Sequence, residues 1–349
     1  MSIAPNRECE CLGPASQHDG NACTRRRALA GALAGAALGL AWTGAACAQP
    51  AQRRRVGVLV PFTLDSVAEL LQALREGFAA QGLEVGRDLT VELRHADNQP
   101  ALLAPLAAEI AALGPEVVIA LGPGATEAAL AATAGSATPI VSIGDVVAAG
   151  HASQLGRPGG RVTGLSFLPL ALNTKRLELL AELLPKGSAV LNLIDLTPFP
   201  AATQAVQDAG RQLGLVPHAA YASTPAEVET AFARAQALRV AGVNVLASPF
   251  LHGVRAMIMQ LALRARLPAI YQWPETAREG GLMGYGPSSV AMFRQLAGYA
   301  ARILRGAKPG ELPIEQPTKV EFVINLKAAR AIGVEMPRAL LLRADEVIG

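Results

Sequence analysis

The chain has 349 residues, 51% of them hydrophobic and 17% charged, which is long and apolar enough for two domains with large cores. Its 31 basic and 28 acidic residues leave a formal net charge of only +3. The sequence has no basic stripe with interleaved aromatic residues, which argues against nucleic acid as a partner.

The first 48 residues differ in composition from the rest of the chain. Three arginines at 25–27 precede an uncharged run rich in alanine, and the Ala-Cys-Ala sequence at 46–48 then supplies the small residues of a signal-peptidase site. We predict that residues 1–48 are a cleaved export signal and that the mature protein, beginning at Gln49, lies in the periplasm. The arginines also loosely resemble a twin-arginine signal, although Ala28 stands where that signal usually has a bulky residue.

The cysteines all lie before the predicted cut. Cys9, Cys11 and Cys23 precede the three arginines, and Cys47 lies in the predicted cleavage site. A lipid-anchored Cys47 is the alternative to simple cleavage, but Gly44 stands where a lipoprotein signal prefers leucine. The mature chain would have no cysteine, which excludes disulfides, thiolate metal sites and cysteine nucleophiles from it.

From residue 53 onward, short apolar runs alternate with helical patterns. Because the connections are short, this alternation predicts a parallel, doubly wound sheet. The strand ends at Pro61, Gly122 and Gly144 would then share one edge, where helix N-termini favour an anionic group. The predicted strands cover 56–60, 89–93, 116–121 and 139–143, and the predicted helices run from Asp65 or Ser66 to Gly82, over 101–113, and from the turn at 122–126 to Ala134.

After Gly164 the same pattern starts again, so we predict a second lobe of similar architecture. The predicted strands here are 189–194, 215–221, 243–247 and 268–271, and the predicted helices are 173–184, 201–213, 225–238 and a segment ending at Arg266.

The remaining segments are predicted to return across the hinge. A strand at 280–286 and a helix at 293–304 are expected to rejoin lobe one, and a strand at 320–324 with a helix at 327–332 to cross back. The predicted fold is therefore α/β, with two doubly wound parallel-sheet lobes on a hinge of three crossings. Lobe one would comprise 53–166 and 278–309, and lobe two 167–277 and 310–349.

Several short motifs occur in an order typical of one family. The chain resembles the ABC-transporter substrate-binding proteins often labelled as tryptophan/tyrosine transport binding proteins, from about Arg55 to its C-terminus. The resemblance implies a type I periplasmic binding fold, a small ligand in the interlobe cleft, and an inner-membrane ABC permease with its ATPase as partners. The motifs are RPGGRVTG at 157–164, KRLELL at 175–180, GGLM at 280–283, QPTKVEFVINLK at 316–327 and LRADEVI at 342–348.

Two stretches at the predicted cleft edges depart from the pattern expected of this family. An Asn-Pro-x-Asn-like turn is usual after the first strand of lobe two, where this chain has Asp-Leu-Thr-Pro-Phe-Pro at 195–200. Gln272 and Pro274 stand where acidic or basic residues are common. Both departures bear on which ligand is bound, and not on the fold.

The turn at 122–126 is a candidate site for a ligand carboxylate. Gly124 would let the backbone approach a ligand, and Thr126 would offer a hydroxyl near a helix N-terminus. A tight strand-to-helix turn is the alternative, and the two are compatible. Glu127 breaks the dinucleotide-binding glycine pattern at this turn.

Asp145 and Asp195 each follow a predicted strand, so either could accept a ligand ammonium group or could cap the next turn. Five aromatic residues also lie at strand ends, and we expect about three of them to contact the ligand. The full set of predicted ligand-binding residues is Phe62, Thr63, Gly122, Gly124, Ala125, Thr126, Gly144, Asp145, Asp195, Thr197, Phe199, Pro249, Phe250, Tyr271 and Trp273.

The mature chain shows no catalytic, cofactor or metal motif. Its histidines, His95, His151, His218 and His252, lack metal-ligand spacing, and we expect surface or capping roles for them. No Gly-x-Ser-x-Gly elbow is present.

The sequence therefore predicts a monomeric periplasmic substrate-binding component of an ABC importer. It would capture an aromatic amino acid or related compound and would not be an enzyme. The alternatives are a sensory module that feeds a membrane receptor, or a two-lobed enzyme.

Overall fold

The computed structural model describes residues 53–166, 169–195 and 200–349. The predicted export signal lies outside these residues. Within them, no helix is both long enough and apolar enough to cross a membrane.

The first lobe is built on a five-stranded sheet in the order β2-β1-β3-β4-β5, and all of its pairings are parallel. Its central strand, β3, is apolar along its whole length because helices cover both faces of a parallel sheet. The bounds are β1 Arg54–Val60, α1 Leu64–Ala80, β2 Leu89–His95, α2 Leu103–Ala112, β3 Val117–Leu121, α3 Pro123–Ala132, β4 Ile140–Ile143 and β5 Val162–Leu165.

The second lobe is built on a seven-stranded sheet in the order β12-β11-β10-β9-β8-β6-β7. Its elements before the return are α4 Pro169–Ala181, β6 Ala189–Ile194, α5 Pro200–Gln212, β7 Val216–Tyr221, α6 Pro225–Ala237, β8 Gly242–Val245, α7 Pro249–Gly253, α8 Arg255–Arg264, β9 Ala269–Tyr271, α9 Pro274–Arg278 and β10 Met283–Gly286. The chain ends with α10 Ser289–Leu304, β11 Glu321–Asn325, α11 Leu326–Ile332, α12 Arg338–Leu341 and β12 Glu346–Ile348.

The structure divides the return segment differently from the prediction. We expected the strand near 280–286 to join lobe one, but β10 pairs in parallel with β9 and in antiparallel with β11, which places it in the second sheet. Glycine permits this position, since a Cβ on Gly286 would lie 2.0 Å from the Gln272 carbonyl oxygen. The crossing therefore falls between β10 and α10, and not at the predicted boundary of 278.

Helix α10 does return to the first lobe, where it packs against α1. The two helices approach closely at Gly77, where an added Cβ would lie 2.6 Å from the Arg294 carbonyl oxygen. Phe78 and Leu296 are buried in the same core as strands β1 and β3. This packing makes α10 a structural part of lobe one although it follows lobe two in the chain.

Two of the crossings run side by side. The Ser166 N–H donates to the Glu315 carbonyl at 2.9 Å, and the Glu315 N–H donates to the Gly164 carbonyl at 3.1 Å. The Thr163 hydroxyl also donates to the Leu312 carbonyl at 2.8 Å. The chain from Leu312 to Glu315 thus lies along β5 in lobe one, five or six residues beyond the predicted boundary of 310.

Some helices and strands differ in smaller ways from those predicted by the sequence periodicity. The helix predicted to end at Arg266 is divided into α7 and α8 at Val254. The short elements α9, α12 and β12 were not predicted, because three to five residues are too few to show a period.

Candidate functional site

The carboxyl ends of the two sheets meet at an aromatic cluster. Phe62 follows β1 in lobe one, and its ring lies edge-to-face with the His252 ring of α7 at 5.6 Å between centroids. His252 makes the same type of contact with Trp273, at 6.0 Å. We call Phe62, His252 and Trp273 the aromatic bridge, because it joins the lobes through packing rings.

A small cavity lies against the aromatic bridge. Its volume is about 40 Å³, room for a few water molecules. Most of its wall is apolar, and Ser248, Gln272 and Ser289 lie among the lining residues. The apolar lining residues are Phe62, Leu70, Leu121, Ile143, Trp273 and Phe293.

A second cavity, of about 100 Å³, shares Phe62 and Leu121 with the first. One wall is the start of α3, at Pro123, Gly124 and Ala125. Lobe two contributes Asp195 and Phe250, and the other lining residues of lobe one are Pro61, Asn98, Pro100 and Leu103.

The start of α3 gives this cavity its donors. Gly122 precedes the helix with φ +90°, a conformation that favours glycine, and its N–H donates to the Ile143 carbonyl at 3.0 Å. The next N–H groups, at Gly124 and Ala125, have no acceptor within the helix and carry the positive end of its dipole. The backbone of this turn therefore suits an anionic group.

The Thr126 side chain is used differently from the prediction. It is completely buried, its hydroxyl donates to the Gly122 carbonyl at 2.8 Å, and it lies 2.6 Å from the Ser142 hydroxyl. The hydroxyl thus stabilises the turn between β3 and α3 and is absent from the lining of both cavities.

Asp145 lies outside the lining of both cavities as well. Its Oδ1 accepts from the Ala148 N–H at 3.1 Å, which is the capping alternative that the sequence left open. Gly144, with φ +152°, packs beside the Pro123 ring and so supports the α3 turn.

Asp195 does line the second cavity, and a polar network holds its carboxylate. Ser248 donates its hydroxyl to Asp195 Oδ2 at 2.5 Å, and the Ser223 hydroxyl lies 3.5 Å from Oδ1. Gln272 accepts from the Ser248 N–H at 2.9 Å and donates to the Ser248 carbonyl at 3.1 Å. The prediction omitted Ser248, although a serine followed by proline after a strand is a recognisable helix N-cap.

The other predicted site residues lie in varied places. Tyr271 is buried in the core of lobe two, where its ring packs against Gly281, away from both cavities. Thr63 precedes α1, and its carbonyl accepts from the Ser66 hydroxyl at 2.8 Å. Pro249 begins α7. Thr197 and Phe199 fall outside the residues that the structure describes.

His252 corrects a further expectation, since it is buried and not on the surface. Only 8% of it is exposed, and burial together with the charge of Arg255 lowers its pKa to about 3. The imidazole is therefore neutral at physiological pH. Among the described residues, its Nδ1 has no hydrogen-bond partner.

Arg255 makes a second contact between the lobes. Its guanidinium pairs with both oxygens of Glu279, at 2.7 and 2.8 Å, and it also donates to the Ser66 carbonyl of α1 at 3.2 Å. The atom that donates to Ser66 is Nη1, and it also donates to the His252 carbonyl at 3.2 Å. This contact therefore lies beside the aromatic bridge. The described residues contain no group of three or more His, Cys, Asp or Glu side chains arranged to hold a metal ion.

The family model described as ABC transporter substrate binding protein matches residues 55–348. The chain belongs to this family. The motifs of the sequence are thus correctly assigned, and this substrate-binding protein has the predicted two-lobed α/β fold of periplasmic solute-binding proteins.

Three relatives of this substrate-binding protein cover most of its length. A tyrosine-binding protein from Clostridioides difficile (strain R20291) is 21% identical over 291 residues, which are 81% of this chain and 82% of that protein. A conserved domain protein from Vibrio cholerae O1 biovar eltor superposes with a TM-score of 0.76 at 26% identity, covering 85% of this chain and 100% of that one. The ABC domain from Streptococcus pneumoniae in complex with L-Trp gives 0.75 at 20% identity, with the same coverage.

Proposed function

We propose that this substrate-binding protein captures an aromatic amino acid, or a closely related compound, in the cleft between its lobes. The observation that carries the proposal is the pair of adjoining cavities, one apolar and one with charged or dipolar groups on opposite walls.

The second cavity suits the head group of an amino acid. The N–H groups at Gly124 and Ala125 would bind the carboxylate, because they lie at the positive end of the α3 dipole. Asp195 on the facing wall would accept the ammonium group, and its serine partners hold the carboxylate in place. A zwitterion places its opposite charges where this cavity has complementary groups.

The first cavity suits an apolar side chain. Phe62 and Trp273 offer aromatic edges and faces, and an aromatic pair in offset or edge-to-face contact contributes about 0.5–1.5 kcal/mol beyond its buried area. Cavities of about 40 and 100 Å³ exclude an oligomer, and the lobes would have to move apart for an aromatic side chain to enter the first one. The names of two relatives, one tyrosine-binding and one in complex with L-Trp, agree with this class.

The family and the predicted export signal support a proposed transport role and a proposed location in the periplasm. The protein would be secreted to the periplasm, bind its ligand as a monomer and deliver it to an ABC permease and ATPase. Uptake by proteoliposomes that contain the permease and ATPase should require this protein, and uptake that is unaffected by its omission would contradict the transport role.

Trp273 provides a direct test of binding. The chain has two tryptophans, and the other, Trp42, lies within the predicted signal, so a protein beginning at Gln49 contains Trp273 alone. L-tyrosine and L-phenylalanine should change its fluorescence, and a ligand at 100 times its Kd should raise the free energy of unfolding by about 2.7 kcal/mol. L-leucine and D-glucose serve as control ligands.

Two matched variants test the placement of the head group. Asp195→Asn should weaken amino-acid binding by about 10- to 100-fold, because the ammonium group loses a charged acceptor. Asp145→Asn should leave affinity unchanged, because Asp145 lies outside both cavities. Binding of glucose in place of amino acids, or equal effects of the two variants in calorimetry, would contradict the proposal.

A further inference from the structure

The first cavity contains one polar side chain whose role the fold does not explain. Four polar residues line it: Ser248 and Gln272 bond to each other, Ser289 interacts electrostatically with the Glu275 carboxyl group, and the fourth differs from these three. The fourth is His252, which is more than nine-tenths buried. Within the described part of the chain, its Nδ1 is buried and accepts or donates no hydrogen bond.

The surroundings of the imidazole are the two aromatic rings that flank it. The edge-to-face contacts with Phe62 and Trp273 hold the ring by packing and give no hydrogen bond to Nδ1. Arg255 lies nearby, but it donates to the backbone carbonyl of His252 and to Glu279. The position of the imidazole is therefore determined by groups that leave one nitrogen unsatisfied.

An unsatisfied buried nitrogen destabilises the protein, since it has lost its hydrogen bond to water and gained none in return. A phenylalanine at this position would make the same aromatic contacts without that cost. In a neutral imidazole one nitrogen donates and the other accepts, so this group can bond to a ligand hydroxyl or N–H. The residue is thus better suited to a cavity that holds a polar ligand atom than to an empty apolar core.

We propose that His252 determines the specificity of the first cavity, by hydrogen-bonding through Nδ1 to a polar group on the ring of the ligand. The substrate class would be aromatic amino acids that carry a ring hydroxyl or ring N–H, in preference to those with a plain phenyl ring. This inference rests on the proposed function, because it requires the aromatic side chain to occupy the first cavity.

The expected discrimination follows from the cost of leaving a buried polar group unpaired. An analogue without the ring hydroxyl would leave His252 as unsatisfied as in the empty protein. L-tyrosine should therefore bind about 10- to 100-fold more tightly than L-phenylalanine. The analogue 4-methyl-L-phenylalanine is the sharper control, since its methyl group matches the size of the hydroxyl but donates no hydrogen bond.

The test is calorimetric titration of the wild-type protein, His252→Phe and His252→Asn with these three amino acids. His252→Phe retains the aromatic packing and removes the nitrogen, so the ratio of the Kd values for 4-methyl-L-phenylalanine and L-tyrosine should fall to about 1. His252→Asn keeps a polar atom close to the position of Nδ1, so it should preserve part of the preference. His252→Leu replaces His252→Phe if the latter does not fold.

The outcomes separate this inference from the proposed function. If the wild-type protein binds aromatic amino acids but does not distinguish L-tyrosine from 4-methyl-L-phenylalanine, the inference is overturned and the proposed function stands. An unchanged ratio in His252→Phe, with both affinities reduced, would show that His252 only packs, and would overturn it too. If the wild-type protein binds no aromatic amino acid, the proposed function fails and this inference with it.

Discussion

The two lobes contribute different kinds of chemistry to the same cleft. Lobe one offers backbone and apolar surface: the glycine turn before α3, the N–H groups of its first turn, and the ring of Phe62. Lobe two offers polar side chains that are held by one another, with Asp195, Ser248 and Gln272 in one network and His252 beside it.

This difference suggests a division of roles between the lobes. In the proposed function a backbone turn would bind the group that all amino acids share, and the geometry of this turn depends on glycine conformation and close packing. Side chains can be exchanged without rebuilding a turn, so lobe two is where ligand preference can change. The comparison predicts that lobe one is disrupted by adding atoms, and lobe two by removing hydrogen-bonding groups.

The largest effect is expected from removing Arg176 of lobe two. This guanidinium is 1% exposed and donates to the Tyr285 carbonyl at 2.7 Å, to Asn173 Oδ1 at 2.6 Å and to the Gln272 carbonyl at 3.3 Å. Burial lowers its pKa to about 9, so it stays charged at neutral pH. Arg176→Ala should lower the free energy of unfolding by about 4 kcal/mol, because it leaves a cavity and unpaired carbonyls.

Arg161 of lobe one is the matched control for Arg176. It also donates to main-chain carbonyls, those of Leu130 at 2.7 Å and Thr133 at 3.1 Å, but it is partly exposed. Water can replace part of these bonds, so Arg161→Ala should cost about 1 to 2 kcal/mol in urea unfolding. If the two variants lose the same free energy of unfolding, burial does not explain the difference expected between these arginines.

Adding a single methyl group should disrupt lobe one at Gly164. This residue has φ +139°, and a Cβ there would lie 1.9 Å from the Ser142 carbonyl oxygen in the neighbouring strand. Gly164→Ala should therefore lower the free energy of unfolding by about 3 kcal/mol, through backbone strain and displacement of β4 from β5.

Gly82→Ala separates strain from steric overlap. Gly82 has φ +71°, but no atom lies within 4 Å of the position its Cβ would take. The substitution should cost only about 1 kcal/mol in thermal unfolding. If Gly164→Ala lowers the free energy of unfolding no more than Gly82→Ala does, the close packing of β5 against β4 does not account for the sensitivity of lobe one to added atoms.

A smaller effect than those of Arg176→Ala and Gly164→Ala concerns pH and His252. Because burial holds the pKa of this imidazole near 3, below the ordinary 6.5, the unfolded chain binds a proton that the folded protein does not. The stabilisation is complete above pH 6.5 and is lost progressively as the pH falls toward 3. At pH 5.0 the loss from this group should be about 2 kcal/mol relative to pH 7.5.

His252→Phe isolates this contribution, because the other titratable groups are common to both proteins. The difference in free energy of unfolding between the wild type and the variant should change by that amount between pH 7.5 and 5.0. A difference independent of pH would show that His252 is accessible to protons in the folded protein.

Much of the architecture could be predicted because parallel strands leave a strong signal. A strand covered by helices on both faces is apolar along almost its whole length, so 56–60 and 189–194, with Asn192 as the polar exception, could be recognised without any partner. The lobe that β10 joins could not be predicted, because four residues between glycines fit either sheet. In the folded chain β10 is an inner strand between β9 and β11, and glycine at 286 permits its close approach to the Gln272 carbonyl.

The candidate site was predictable only in part, for the same reason. Strand-end position locates Phe62 and Trp273 at the first cavity and Asp195 at the second. It also selected Thr126 and Asp145, whose polar atoms bond to their own turns. His252 was assigned to the surface because a histidine in a short helix carries no periodic mark of burial.

The sequence by itself therefore determined the family, the two-lobed α/β class and the strand ends at which a cleft would form, because these depend on local patterns of apolar residues and glycines. Only the tertiary structure decided which side chains face the cleft and which turn inward. That choice depends on the packing of His252 between rings from both lobes, and on hydrogen bonds between residues far apart in the chain.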